Sequence, residues 1–340
     1  MPENSAATGA AFPELPRTLL LGLLSCAALL AAPAALGQTQ NQAQKYPGRS
    51  VRIVVPFPAG SAPDQTARII GQELQTLYGQ SFVIDNKPGA QGAIGAVEAA
   101  KAPADGYTLF LTTNTTQAAN VSLFKKLPYD PVKDFTPVTR IGGTALMLVV
   151  KPDFQAKNLK ELIAYGRANP DKLSAGYGSS ATQVAIGMLQ TQGKLKVLSV
   201  SYKGVPQTAL EVMAGQISFS FVDAAIGLAQ IKGGKLRAIG VTSLTRNRLA
   251  PEIPTFAEDL PGFEIGTWYG VVAPTGTPRE IVTQLNDAIQ KSVNKPEVRE
   301  RFSTMGLEMM LIGPEEFDPF IRSEIGKWAT RIKEAGIQPE

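Results

Sequence analysis

VRIVVPFPAGSAPD, residues Val51–Asp64, is the stretch whose reading decides the fold. Its opening run of Val and Ile predicts a buried strand, and Pro56-Phe57-Pro58-Ala59-Gly60 breaks it. Ser61-Ala62-Pro63-Asp64 then looks like a helix start, with a Ser cap, a Pro in the tolerant first turn and an acid three residues after the cap. A strand passing through a tight turn into a helix is the repeating unit of α/β proteins, which bind ligands at the carboxyl ends of strands. Ser61 and Asp64 are expected to satisfy the helix's own amides. Free amides at Gly60, Ser61 and Ala62 are expected to face an anion, helped by the helix dipole. The two readings can coexist.

The same alternation runs outward from this unit. Strand-like runs, rich in β-branched residues and bounded by Gly or Pro, fall at Val51–Phe57, Phe82–Ile84, Tyr107–Thr112, Ala145–Val150, Val197–Tyr202, Ile217–Val222, Leu236–Thr242 and Tyr269–Ala273. Helical periodicity falls between them, at Thr66–Tyr78, Leu159–Asn169, Thr182–Gln192, Gln207–Ala214, Arg279–Asn294 and Glu315–Ala335. In the last, Phe317, Phe320, Ile321, Ile325, Trp328 and Ile332 form one apolar stripe. The pattern predicts an α/β protein with mostly parallel sheets.

Two further junctions could hold an anion. Thr112–Thr116, after the Tyr107 strand, is a run of hydroxyl and amide side chains; Thr113, Asn114, Thr115 and Thr116 are either solvated turn formers or uncharged donors to a ligand. Ala175–Ala181 fits a dinucleotide fingerprint through Gly176, Gly178 and Ala181. That fingerprint wants an acid about 20 residues on, yet Lys172–Leu210 holds no acidic residue. What survives is a Gly/Ser helix start, Gly178-Ser179-Ser180, in an electropositive stretch. No P-loop is present, because Gly233-Gly234-Lys235 is followed by Leu236. Asp223 ends the Ile217 strand and either points into a cleft or caps the next helix. Tyr177, Tyr202 and Trp268-Tyr269 are read as core or hinge packing.

Composition removes several mechanisms. The chain has 340 residues, no His and one Cys, so imidazole-based triads, His-ligated zinc and intrachain disulfides are excluded. A formal charge of +4 is mild for this length and argues against a nucleic-acid partner. No cofactor motif is found. Arg17 followed by the uncharged Thr18–Leu36 and the small-residue Ala35-Leu36-Gly37 end predicts a cleaved secretory signal over residues 1–37. A membrane anchor is the alternative. Leu23-Leu24-Ser25-Cys26 is an imperfect lipobox, so lipidation of Cys26 is a second alternative to its removal.

Five long stretches then resemble one family in order: YPGRSVRIVVPFPAGSAPDQTAR (Tyr46–Arg68), NKPGAQGAIGAVEAAKAPADGYTL (Asn86–Leu109), KKLPYDPVKDFTPV (Lys125–Val138), YKGVPQTALEVMAGQI (Tyr202–Ile217) and WYGVVAPTGTP (Trp268–Pro278). The chain resembles the Bug-type periplasmic receptors of tripartite tricarboxylate transporters over residues 46–340. The resemblance implies a two-domain type II periplasmic binding-protein fold with a ligand cleft between the domains. Residues 46–144 and 266–340 are expected to form one domain and 145–265 the other. It implies a periplasmic, monomeric receptor, not an enzyme, that takes a small carboxylate (a di- or tricarboxylate, an acidic amino acid or an aromatic acid) to membrane transporter subunits. One carboxylate would be held by Gly60–Ala62 and Thr113–Thr116. Gly178–Ser180, the turn Tyr202-Lys203-Gly204 and Asp223 would close from the second domain. Two departures bear on specificity: the family's first loop is commonly Gly-Gly where this chain has Gly60-Ser61, and relatives often carry His at the positions of Gln117 and Gln183.

Two other classes compete. A carboxylate-based periplasmic enzyme would need paired acids, and the junctions supply only Asp64 and Asp223. A sensor without a transport role is the other; an intracellular version is opposed by the signal and by the lack of a DNA-binding segment.

Overall fold

The computed structural model describes residues 46–340 and the isolated Gly9; the signal-peptide reading, Cys26 included, lies outside the described residues. Val51–Val55 (β1) leads into Ala62–Tyr78 (α1) as expected. Ser61 caps α1 by accepting the Asp64 amide, Pro63 occupies its first turn, and Gly79 at φ 69° ends it by donating to the Gln75 carbonyl. The chain continues through Phe82–Asn86 (β2), Ala93–Ala100 (α2) and Thr108–Thr113 (β3) to a wide π-turn, Thr115–Ala119, which runs into Asn120–Leu123 (α3). A long strand follows, Phe135–Val150 (β4), then Leu159–Ala168 (α4), Ser174–Tyr177 (β5), Ser180–Gly193 (α5), Leu198–Ser201 (β6), Val205–Ala214 (α6), Phe219–Asp223 (β7), Ala224–Lys232 (α7) and Arg237–Val241 (β8). The last part comprises Gly266–Pro274 (β9), Arg279–Val293 (α8), Pro296–Thr304 (α9), Glu308–Ile312 (β10) and Pro314–Glu334 (α10).

The strand order is β2-β1-β3-β9-β4-β7-β5-β6, with β8 and β10 also paired to β4. The expectation of mostly parallel sheets does not hold. β1 pairs in parallel with β2 and β3, as does β5 with β6 and β7, but every pairing of β4 and β9 is antiparallel. The cause is β4, whose first part pairs with β9 and β10 and whose last part pairs with β7 and β8. It passes from one half-sheet to the other, and β9 returns beside it in the opposite direction.

Each half-sheet has apolar residues on both faces. Val51, Ile53 and Leu109 pack toward α1 and α8, while Val54 and Phe110 pack toward α2 and α10. In the second half-sheet, Leu148 and Phe221 face α5, whereas Met147, Val149 and Val222 face α6. The predicted stripe of α10 serves two cores: Phe317 and Ile321 enter the first half's core, Trp328 and Ile332 the second's. These layers bring the amino ends of α1, α5 and α6 and the end of β7 into one region.

Candidate ligand-binding site

Six of the residues singled out in the sequence share one small cavity. Ser61, Thr113, Asn114, Thr115, Ser179 and Asp223 line it together with Phe57, Pro63, Val205, Thr267 and Tyr269. It measures about 20 Å³, room for little more than one water. The two half-sheets meet directly at its rim. Ser180 Oγ donates to Thr115 Oγ1 at 2.9 Å. Gly204 lies so close to Pro58 that a Cβ on it would sit 2.6 Å from the proline Cδ.

The β1–α1 turn differs from its sequence reading in one respect. Two of the three amides expected to be free are engaged within the turn: Gly60 N–H donates to Asp64 Oδ2 at 2.9 Å, and Ser61 N–H to the Pro58 carbonyl at 3.2 Å. Ala62 is buried at the first position of the helix. Asp64 stands behind the turn instead of lining the cavity, and also accepts from Asn86 Nδ2 and Arg68 Nε, each at 3.0 Å. Burial alone would raise its pKa, but the bonds from Arg68, Gly60 and Asn86 outweigh burial and hold it below the ordinary carboxylate value.

The β3 turn supplies neutral groups. Thr113 Oγ1 accepts the Thr115 amide at 3.1 Å. Thr116 is turned inward, paired with Thr112 Oγ1 at 2.8 Å, and props the turn from behind. Gln117, a departure noted in the sequence, is likewise structural: it accepts from Thr112 Oγ1 and donates to the Pro131 carbonyl. Asn114 is fully buried, and its Oδ1 accepts the Trp268 amide at 3.4 Å. Its Nδ2 has no partner, leaving a buried donor on a residue of the cavity wall.

From the other half-sheet, Ser179 caps α5 in a reciprocal box with Thr182. Gly178 backs onto Gly204, where any Cβ would fall 2.2 Å from the Gly204 carbonyl carbon. Asp223 sits at the N-cap position of α7, but its side chain makes no capping bond. It accepts instead from Tyr269 Oη at 3.0 Å. Burial pushes its carboxyl up to about 6, against the opposing pull of the tyrosine hydrogen bond. Tyr269 is also fully buried, and burial followed by the Asp223 charge raises its hydroxyl well above the ordinary value.

Tyr202 and Lys203 do not reach this cavity. They line a second, wider one of about 660 Å³, to which Gln183 also belongs. Sequence reasoning missed Thr267 and Tyr269, having read the Trp268-Tyr269 pair as packing. The signal available was position, since Tyr269 lies in the quoted WYGVVAP stretch and Thr267 immediately precedes it.

The family model described as tripartite tricarboxylate transporter family receptor matches residues 66–337. The fold is similar to that of a Rhodopseudomonas palustris protein, Rpa4515, solved with adipate (TM-score 0.84, 32% identity, covering 87% of this chain and 100% of that one). It is also similar to the periplasmic binding protein BugD (TM-score 0.83, 31% identity, 87% and 100%). MatC of R. palustris, solved with bound malate, matches at TM-score 0.78 and 30% identity (84% and 100%). The chain therefore belongs to the tripartite tricarboxylate transporter receptors of Bug type, a family of periplasmic solute-binding proteins and not of enzymes, and it has their α/β fold.

Proposed function

We propose that this chain is an exported monomeric receptor that captures a small carboxylate in the cleft and presents it to the membrane subunits of a tripartite tricarboxylate-type transporter. In this reading residues 46–144 and 266–340 form one domain, 145–265 the other, and residues 1–37 are removed on export to the periplasm. The observation that carries it is Asn114 Nδ2, a fully buried donor without a partner on a cavity wall that also carries the hydroxyl residues Ser61, Thr113, Thr115 and Ser179. An anion accepting from Asn114, Thr113 and Thr115 would satisfy that donor, and oriented neutral dipoles cost less to bury than a paired charge. The adipate and malate found in two similar structures point to the same ligand chemistry. Among the described residues no helix is long and apolar enough to cross a membrane.

Closing two domains on a ligand couples binding to stability. A carboxylate present at 100-fold over its Kd should stabilise the folded chain by about 2.7 kcal/mol. Thermal unfolding across di-, tri-, amino- and aromatic carboxylates measures this. No stabilisation by any of them would sink the reading.

A further inference from the structure

The wider cavity of about 660 Å³ is of the size ligand pockets have. Two stretches of chain contribute to its walls and to those of the inner cavity. The chain passes from one to the other twice, at Tyr177 (outer) to Ser179 (inner) and at Tyr202 (outer) to Val205 (inner). The Ser180–Thr115 bond that closes the rim lies on the stretch between Ser179 and Gln183. A ligand that parts this rim would open the inner cavity toward the outer one.

Gln91 marks the outer compartment as more than a gap. Its Nε2 donates to Gln183 Oε1 at 2.8 Å, joining residues 92 apart in sequence. Its own Oε1 is buried and has no partner. Its backbone is strained: Ala90 and Gln91 stand at φ 45° and 48°, a region L-residues rarely adopt, between Gly89 at 128° and Gly92 at 81°. The surroundings enforce this turn. Asn120 Nδ2 donates to the Gln91 carbonyl at 3.1 Å, and Gly92 is pressed so close to Thr116 that a Cβ would come within 2.8 Å. Two strained residues on a cavity wall, over-determined by packing, are where strain serves a site.

We infer that Gln91, oriented by Gln183, reads a hydrogen-bond donor at the far end of the ligand, which is an elongated carboxylate ending in a hydroxyl or amide. The inference rests on the inner cavity holding the carboxylate. Ser179 and Gln183 lie one turn apart on α5, about 6 Å along its axis. A carbon chain advances about 1.3 Å per bond, so roughly six carbons span that distance. The far group must donate, because the buried Gln91 oxygen is an acceptor and would repel a second carboxylate. Lys203 lines the same compartment but is exposed and keeps its charge in water.

Calorimetric titration of the chain with hexanoate, 6-hydroxyhexanoate, adipate and malate tests this. The hydroxy acid should bind about fivefold to tenfold more tightly than hexanoate. In Gln91→Met, similar in shape but without the acceptor, that ratio should fall to within about twofold. Gln183→Met, which frees the Gln91 amide, should lower the same ratio and serves if the first variant misfolds. A ratio near one in the parent chain, a ratio that survives both variants, or a preference for adipate over the hydroxy acid would overturn the inference while leaving carboxylate binding intact. No heat from any of the four acids would overturn both.

Discussion

Asp223 ends a strand, faces Tyr269 and is sealed from water, so the fold sets its charge. Its folded-state pKa of about 6 lies above the ordinary 3.8, so the native chain holds more protons than the unfolded one between those values. Its contribution to stability is therefore full below pH about 4 and is lost as pH rises through about 6. The span amounts to at most about 3 kcal/mol. Denaturant titrations from pH 4.5 to 7.5 should show the parent chain losing stability relative to Asp223→Asn; parallel curves would remove the claim. Asp64 has the opposite sign, because its folded pKa is lowered. Its contribution is present above the ordinary carboxylate range and disappears as acid titrates the folded group. Asp64→Asn should cost about 1–3 kcal/mol at neutral pH, with the gap to the parent chain narrowing on acidification. Of these roles the sequence shows only positions. That Asp223 ends a strand was readable, but its choice of Tyr269 over the α7 amides depends on two residues 46 apart meeting in the fold.

At the scale of elements, the helix starts were legible because their signals are local. Ser61 with Pro63 and Asp64, and Ser179 with Thr182, carry their caps within four residues. The first part of β4 was not, since Pro137, Gly142 and Gly143 interrupt its apolar run and the strand bends with irregular register against β9. α2, AIGAVEAA, has small residues where a helix usually shows an apolar stripe, and β10, EMMLI, lacks β-branched alternation. The antiparallel direction of β9 was illegible for another reason: nothing local says that it inserts between β3 and β4. The meeting of α6 with the β1–α1 turn gives an element-scale prediction. Gly204 has extended φ, so alanine is free of backbone strain there, yet its methyl would strike Pro58 across the rim. Gly204→Ala should weaken carboxylate binding by at least about tenfold, as more than 1.4 kcal/mol of closure is lost. Small-angle scattering should find it more extended than the parent chain when both are given ligand. Equal affinity and equal dimensions would show that the rim does not need this close approach.

For the whole molecule, the two half-sheets join through side chains that are proposed to bind the ligand. Thr115 and Ser180 bond each other in the space where a ligand carboxylate is proposed to sit. A ligand must replace these contacts, so its affinity reflects the difference between two closed forms. The architecture positions neutral donors at three strand ends and leaves Asn114 Nδ2 unpaired among them. That donor gives the most direct test of carboxylate capture. Asn114→Asp keeps the shape and the acceptor toward Trp268 but replaces the donor with a negative charge. Calorimetric titration of the best carboxylate should give one-to-one binding to the parent chain and at least about a hundredfold weaker binding to Asn114→Asp, from the lost bond and the added repulsion. Undiminished affinity in the variant, with its fold intact by circular dichroism, would contradict the account.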